Sequence, residues 1–378
     1  MKQITALLVL VGILTFSACK DEDNTNNTDS NKTTDTNTVV VNPDSDTDTD
    51  ADTKRDSDSF YIHLNGTAGA TEAGADMFKQ DDNIVLVYYA DNEKENITFT
   101  GKMRKDGKMN LKSIKSEVKK PVTIDATLKG KKLSGTLTSA GKDSPLELKE
   151  NYKNSEKFKS FNFFDELKDG DEQKYFMQMV YFQPENKTIA DTIYKHYFTE
   201  EAQSAKNVDE AMKLDNESFL SYYKEAQNDE MYMGWNRNII SDIVYNDKSF
   251  LCYAIHWDEF SGGAHPNYSS SFYIFDLKTS KLLKTADILA NKDDKFWSDL
   301  IYNTLKTDRE ISDEEMADTY FELPIKPGES IYITNYGIGF SYSPYEIAPY
   351  VSGPDDVFFP FTKEILGKLK PEIANRLK

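Results

Sequence analysis

Histidine, cysteine and tryptophan are scarce in this chain, and positive charge is in deficit. Its 378 residues hold four histidines, two cysteines and three tryptophans, with 45 Lys and Arg against 64 Asp and Glu, a formal net charge of −19. Without a basic excess, a nucleic-acid binder that works by neutralising phosphates is excluded, and a polybasic grip on anionic lipid is disfavoured. Two cysteines cannot build a disulfide framework. The four histidines include no His-x-x-x-His pair, so the histidine ligands of a deacetylase-type metal site are missing. There is no Gly-x-Ser-x-Gly elbow, no phosphate-cradling P-loop and no carboxylate pair in a supporting context. These absences lead us to expect a protein that is not an enzyme and carries no cofactor. What is present is apolar and aromatic material: 38% hydrophobic and 12% aromatic residues, enough to bury a core over most of the length. At ~100–200 residues per domain, two domains are expected.

The first 18 residues read as an address. Lys2 is a short positive region and Ile4 to Phe16 an almost uninterrupted apolar run, too short for the ~20 residues of a membrane-spanning helix. Phe16-Ser17-Ala18-Cys19 follows and resembles the lipobox of bacterial lipoproteins. That resemblance implies cleavage after Ala18 and lipidation of Cys19, and so a membrane partner reached through lipid. Lys20-Asp21-Glu22-Asp23 resembles the surface-export signal of lipoproteins in the Bacteroidota, which points to the outer membrane and leaves open the inner or outer leaflet. Residues 19–59 read as a disordered acidic tether: positions 20 to 59 hold 12 acidic and 4 basic side chains and one apolar patch, Val39-Val40-Val41. The alternating Asp44, Asp46, Asp48, Asp50 and Asp52 imitate half of a calcium loop. A loop starting at Asp44 would need Gly and Glu where Thr49 and Arg55 stand, so a solvated linker is the better reading.

Residues 60–150 alternate short apolar stretches with turn signals. Asn83 to Ala90 reads as a strand. Glu95 to Met103 and Lys108 to Ile114 flank the hairpin dipeptide Asp106-Gly107, Val122 to Leu128 and Leu133 to Leu137 flank Lys129-Gly130, and Leu146 to Leu148 closes the series. The expected product is a small antiparallel β-meander, as an open barrel or twisted sheet, with Gly66, Gly69 and Gly74 serving turns. Residues 155–378 mix strands and helices without regular βαβ alternation, which indicates α+β. Strands are expected at Lys174 to Phe182, Arg237 to Tyr245, Ser249 to Trp257 and Ser270 to Leu277, and a short pair at Ile331 to Thr334 and Gly337 to Tyr342. Asn246-Asp247 is read as the turn between the second and third of these. Helical spacing marks Thr188 to Glu201, Asn216 to Gln227 and a segment capped by Asp293 with a stripe at Phe296, Trp297, Leu300, Ile301 and Leu305.

The run Phe260-Ser261-Gly262-Gly263-Ala264-His265-Pro266-Asn267, then Phe272 to Thr279 and Ala286-Asp287-Ile288-Leu289, carries a family pattern. Asn335 to Phe340, Pro344 to Tyr350 and Gly353-Pro354 continue it. Together they resemble the extracytoplasmic domain of RsiV-type anti-sigma factors, which also occurs as the non-catalytic part of PdaC-type peptidoglycan deacetylases. The resemblance covers residues 155 to 370. It implies an α+β fold and, as in the anti-sigma factors, a sensor that binds lysozyme. Ser280 departs from the glycine usual in the hairpin turn. No cytoplasmic anti-sigma segment precedes the domain, so a sigma-factor role is not expected here.

Candidate ligand-binding residues follow from side-chain chemistry. Gly262 and Gly263 permit backbone angles that other residues avoid, beside His265, Asn267 and Tyr268. Tyr342, Tyr345 and Tyr350, with Tyr336 before them, are large amphipathic rings suited to an interface or to sugar faces, although part of this set should be core. His256, Asp258, Glu259 and His265 cluster within ten residues and could hold zinc through nitrogen and oxygen. Packing of His256 on the sheet is the plainer expectation, and no metal is assigned. Cys252 reads as a buried inert thiol. Asp313-Glu314-Glu315 reads as a solvated helix start. From Phe60 on, 52 acidic and 40 basic side chains leave a net −12, which would suit a basic protein partner such as lysozyme. A peptidoglycan or other glycan ligand is the alternative, and a metal-dependent hydrolase the remotest.

Overall fold

A computed structural model describes residues 59–114, 121–226 and 234–377. The expected signal segment 1–18, Cys19 and all of the tether but Ser59 lie outside the described residues. Among the described residues no helix is long and apolar enough to cross a membrane. The fold is α+β.

Eight antiparallel strands come first: β1 Ser59–Ala68, β2 Thr71–Gln80, β3 Asn83–Ala90, β4 Ile97–Met103, β5 Lys108–Ser113, β6 Thr123–Lys129, β7 Lys132–Ser139 and β8 Lys142–Glu150. Each pairs with the next, and β1 pairs with β8, so the meander is a closed barrel rather than an open one. Gly66 permits the closure. It faces Leu148 across the seam, and a Cβ there would sit 2.0 Å from the Glu147 carbonyl oxygen. Gly74 likewise lies inside a strand, under the Tyr89 ring. Only Gly69 makes the turn expected of all three, at φ +62°. In β5, Met109 and Leu111 point inward while Lys108, Asn110 and Lys112 face water, the alternation of a strand with one wet side. β1 to β3 are buried on both faces instead, because their outer side packs on the rest of the molecule.

The second region is built on a six-stranded sheet in the order β14-β13-β12-β11-β10-β9. Its strands are β9 Phe158–Asp169, β10 Glu172–Pro184, β11 Trp235–Asp247, β12 Phe250–Phe260, β13 Asn267–Asp276 and β14 Lys281–Leu283. β10 and β11 run parallel, which requires a long crossover. Helices α1 Lys187–Tyr197 and α2 Val208–Ala226 lie within that connection. Ile189, Ile193, Phe219 and Tyr223 from these helices pack on Ile239, Leu251, Tyr253 and Ile255 of one sheet face. The opposite face presents Cys252, Ala254, Phe272 and Ile274 to a second layer. That layer holds helices α3 Thr285–Ile288, α4 Lys295–Arg309, α5 Asp313–Thr319, α6 Lys363–Gly367 and α7 Pro371–Leu377. It also holds a small antiparallel sheet, β15 Ile331–Ile333, β16 Gly337–Tyr342 and β17 Asp355–Pro360. Trp297 of α4 is fully buried there, worth roughly 3 kcal/mol of transfer free energy.

Local chemistry sets the ends of these elements. Asp294, one residue after the expected cap, accepts from the Phe296 amide at 3.0 Å. Ser312 and Glu315 form a capping box at the start of α5, so the acidic run there is a solvated helix start. The β11–β12 turn is not Asn246-Asp247. Lys248 and Ser249 take positive φ there, while Asn246 is strand and 1% exposed.

Asn246 joins the two regions. Its Oδ1 accepts from the Glu156 amide at 2.7 Å, and its Nδ2 donates to the Glu156 carbonyl at 2.8 Å and to the Tyr61 hydroxyl at 2.9 Å. Tyr61 donates onward to Asp76 at 2.5 Å, and His63 Nδ1 reaches the same carboxylate oxygen at 2.8 Å. Burial, the largest single influence, would lower the His63 pKa, but the Asp76 charge and hydrogen bond, with smaller help from Asp247 and Asn65, together outweigh it and the net direction is up. Around this polar seam Tyr61 packs against Phe78, Phe158 and Phe182. A second bridge runs through Tyr336, whose hydroxyl donates to the Ala90 carbonyl at 3.0 Å and accepts from the Ala90 amide at 2.9 Å.

Candidate binding surface

The β12–β13 hairpin ends in the loop 261–266, where Gly262 and Gly263 take φ +90° and +96°. A Cβ on Gly262 would meet only Trp235 Nε1, at 3.7 Å, and one on Gly263 nothing within 4 Å. Glycine is therefore needed here for backbone angle, not for room. The loop turns His265 onto Tyr350, with ring centroids 3.7 Å apart and planes 18° from parallel. Tyr350 donates its hydroxyl to the Pro266 carbonyl at 2.6 Å. Tyr268 meets Tyr350 edge-on at 5.8 Å, and Tyr345 lies 5.7 Å away. Two segments some 80 positions apart thus form one aromatic cluster. Tyr345 is 59% exposed and Val351 beside it 91%. Tyr345 also holds φ +68°, a conformation that costs a non-glycine residue of order 1 kcal/mol.

The 343–353 segment is held from below. Arg309 of α4 donates Nη2 to the Ser352 carbonyl at 2.9 Å, and Nε and Nη2 to Asp355 Oδ1 at 3.0 and 2.6 Å. Glu346 accepts from the Ser343 amide at 2.9 Å, and the Phe321 amide bonds the Ile347 carbonyl at 2.9 Å. Loops fixed this way present side chains at little ordering cost on binding.

Six of the eight expected ligand-binding residues fall on this surface: Gly262, Gly263, His265, Tyr268, Tyr345 and Tyr350. Asn267 is exposed at the start of β13, opposite Glu259. Tyr342 is a correction. It is 1% exposed, and its hydroxyl donates to the Lys326 carbonyl at 2.7 Å, so it is core. Every residue of β16 is buried, so both faces of the strand are covered and Tyr342 with them. Tyr336 belongs to the bridge to the barrel.

The return of His265 to His256 that a zinc site would need does not occur, and His256 packs on the sheet as the plainer expectation had it. His256 pairs with Ser270, four residues up the strand from the loop, and its Nδ1 lies 2.8 Å from Ser270 Oγ. Burial lowers its pKa to about 4, so the ring is neutral at pH 7. Asp258 accepts from Asn238 Nδ2 at 2.9 Å. Among the described residues no group of three or more His, Cys, Asp or Glu side chains converges as a metal would need. Cys252 is fully buried and unpaired among the described residues, and burial pushes its thiol up to about 12. It is inert, as expected.

Sequence reasoning missed Trp235, which flanks Gly262, and the Arg309–Asp355 pair, 46 residues apart, that steadies the loop. No local spacing signals either. A salt bridge across two elements has no period in the chain.

The fold defines a closed β-barrel joined to a two-layered α+β region that presents two braced loops. Residues 286–362 match the family described as "Protein of unknown function (DUF3298)", so the chain carries a DUF3298 domain there. A crystal structure of a DUF3298 family member from Bacteroides fragilis is similar at 21% identity and a TM-score of 0.50, over 60% of this chain and 99% of that one. A DUF3298 family protein from Pseudomonas aeruginosa, 16% identical, gives a TM-score of 0.43 over 57% of this chain and 96% of that one. The first likeness is one of fold. No curated protein matches the sequence.

Proposed function

We propose that this protein is a surface-anchored, non-enzymatic cell-envelope lipoprotein, held in the outer membrane by lipid on Cys19. Its RsiV/PdaC-like domain binds an extracellular protein such as lysozyme. The observation that carries the reading is the surface cluster of half-buried His265, Tyr268 and Tyr350 with exposed Tyr345, held in place by Arg309 and by the bond from Tyr350 to Pro266. Rigid amphipathic rings at the tip of a braced loop pair are what a protein-binding surface uses. The net −12 from Phe60 on would speed encounter with a basic partner. Titration of the full chain with lysozyme across ionic strengths tests this. Binding should weaken with salt, and Tyr345→Ala and Tyr350→Ala should each cost about tenfold in Kd while thermal stability holds. Absence of binding at low salt would refute the lysozyme reading.

A further inference from the structure

The sheet face that carries Cys252 and Ala254 is only partly covered. Along β12, residues 252 and 254 lie under the second layer, and Phe272 on β13 packs against Tyr332 at 4.9 Å. One step further the cover ends, at His256, with Ser330 bonded to the Ser270 carbonyl at its margin. Beyond His256 the same face changes character. Strand register sets Phe164, Gln178, Asn238, Asp258 and Tyr268 in one row across β9, β10, β11, β12 and β13. An aromatic ring stands at each end and three hydrogen-bonding side chains stand between them. At about 4.8 Å per strand the row spans roughly 19 Å. Asn238, Asp258 and Tyr268 are half-buried, and Phe164 is 49% exposed.

Among the polar atoms of this face that are buried without a hydrogen-bond partner among the described residues are His256 Nε2 and Asn238 Oδ1. His256 is 8% exposed. Asn238 and His256 are diagonal neighbours on adjacent strands, and each has spent its other polar atom, on Asp258 and Ser270 respectively. Leaving such an atom unsatisfied costs about 1–3 kcal/mol, so an arrangement that keeps two side by side is set for an outside hydrogen-bonding group.

We propose that this open half of the sheet face is a glycan-binding cleft, with Asn238, His256 and Asp258 as its polar floor and Tyr268 as its stacking ring. Side-chain amides, a carboxylate and a neutral imidazole, one strand apart, match the mixed donors and acceptors of neighbouring sugar hydroxyls. Aromatic rings at the ends of the row match the apolar faces of pyranose rings. An extended peptide would instead need a free strand edge, and these groups lie on a face. A metal is disfavoured because no three ligating side chains among the described residues converge. The cleft meets the protein-binding cluster at Tyr268, which packs on Tyr350, but its polar floor of Asn238, His256 and Asp258 takes no part in that cluster.

The test is calorimetric titration of the full chain with chitotetraose and with a soluble peptidoglycan digest. Saturable binding of either is expected, weakened about tenfold or more by Asn238→Ala and by Tyr268→Ala, and unchanged within about twofold by Tyr345→Ala. Should Asn238→Ala fail to fold by circular dichroism, Asp258→Asn, which keeps the side-chain shape, must show the same loss. No saturable binding of either probe at millimolar concentration, or full affinity in the floor variants, would overturn the cleft. Lysozyme binding measured on Asn238→Ala and Asp258→Asn, which lie outside the loop cluster, reads the loop surface separately.

Discussion

Asn246→Ala removes the polar joint between barrel and sheet, and its cost can be worked from the bonds it breaks. Three hydrogen bonds go: from the Glu156 amide, to the Glu156 carbonyl and to the Tyr61 hydroxyl. The Tyr61 hydroxyl keeps its bond to Asp76. The two Glu156 backbone groups do not recover partners easily, because the site is sealed, with Asn246 at 1% and Tyr61 at 3% exposure. At about 1–3 kcal/mol for each of the two stranded groups, the loss is roughly 2–6 kcal/mol, against a total stability of about 5–15 kcal/mol. That corresponds to a fall in Tm of about 5–15 °C. Asn246→Asp should be worse than Ala at neutral pH. It keeps the acceptor for the Glu156 amide but turns lone pairs on the Glu156 carbonyl and adds a buried negative charge near Asp76. Urea denaturation followed by near-ultraviolet circular dichroism measures both variants. A loss below about 1 kcal/mol for Ala, or an Asp variant as stable as the parent at pH 7, would show that Asn246 does not hold the joint.

Three further outcomes follow from the packing. Asp242 is 4% exposed, and burial raises its carboxyl to about 7. A raised acid favours the folded state while protonated, so its contribution falls as pH rises from about 4 to about 7. Asp242→Asn should flatten that part of the pH–stability curve and stabilise the protein at pH 8; an unchanged slope refutes the assignment. Cys252 should stay unmodified by a thiol reagent at pH 8 in the native state and react fully in denaturant; fast native labelling would place it at the surface. Ser280 holds φ +58° and accepts from Asn186 Nδ2 at 2.8 Å. Ser280→Ala should cost about 1 kcal/mol through the lost bond, whereas Ser280→Gly, which also relieves the strain, should stay within about 1 kcal/mol of the parent in chemical denaturation.

A serine can hold the positive φ of this turn because its side chain returns in a hydrogen bond what the backbone angle costs. The sequence alone marks the departure but not the compensation, because Asn186 is 94 residues away. Other parts were readable in place. Gly107 and Gly130 sit at φ +79° and +52° in the expected hairpins. The apolar run Asn83 to Ala90 is strand β3 within the expected bounds. β9 escaped notice because an edge strand of mostly half-buried residues shows no clean alternation. β17 escaped because it opens on Asp355 and Asp356, one bound by Arg309 and the other by Tyr332. Of the candidate site, the glycine loop and its neighbours were legible from composition. Tyr342 and Tyr345, three residues apart in similar surroundings, were not separable. One ends a strand whose every residue is buried, and the other stands exposed at a positive φ.

The sequence by itself determined the turns, the strand and helix periods and the division into a β region followed by an α+β region. These depend on local backbone preference and on which residues flee water. Tertiary structure alone decided that the barrel closes, that Asn246 joins two regions rather than making a turn, and that His265 meets Tyr350 instead of His256. It alone set three polar side chains from three strands into one row. Each of these depends on strand register and on which faces meet, and neither leaves a period in the chain for a reader to find.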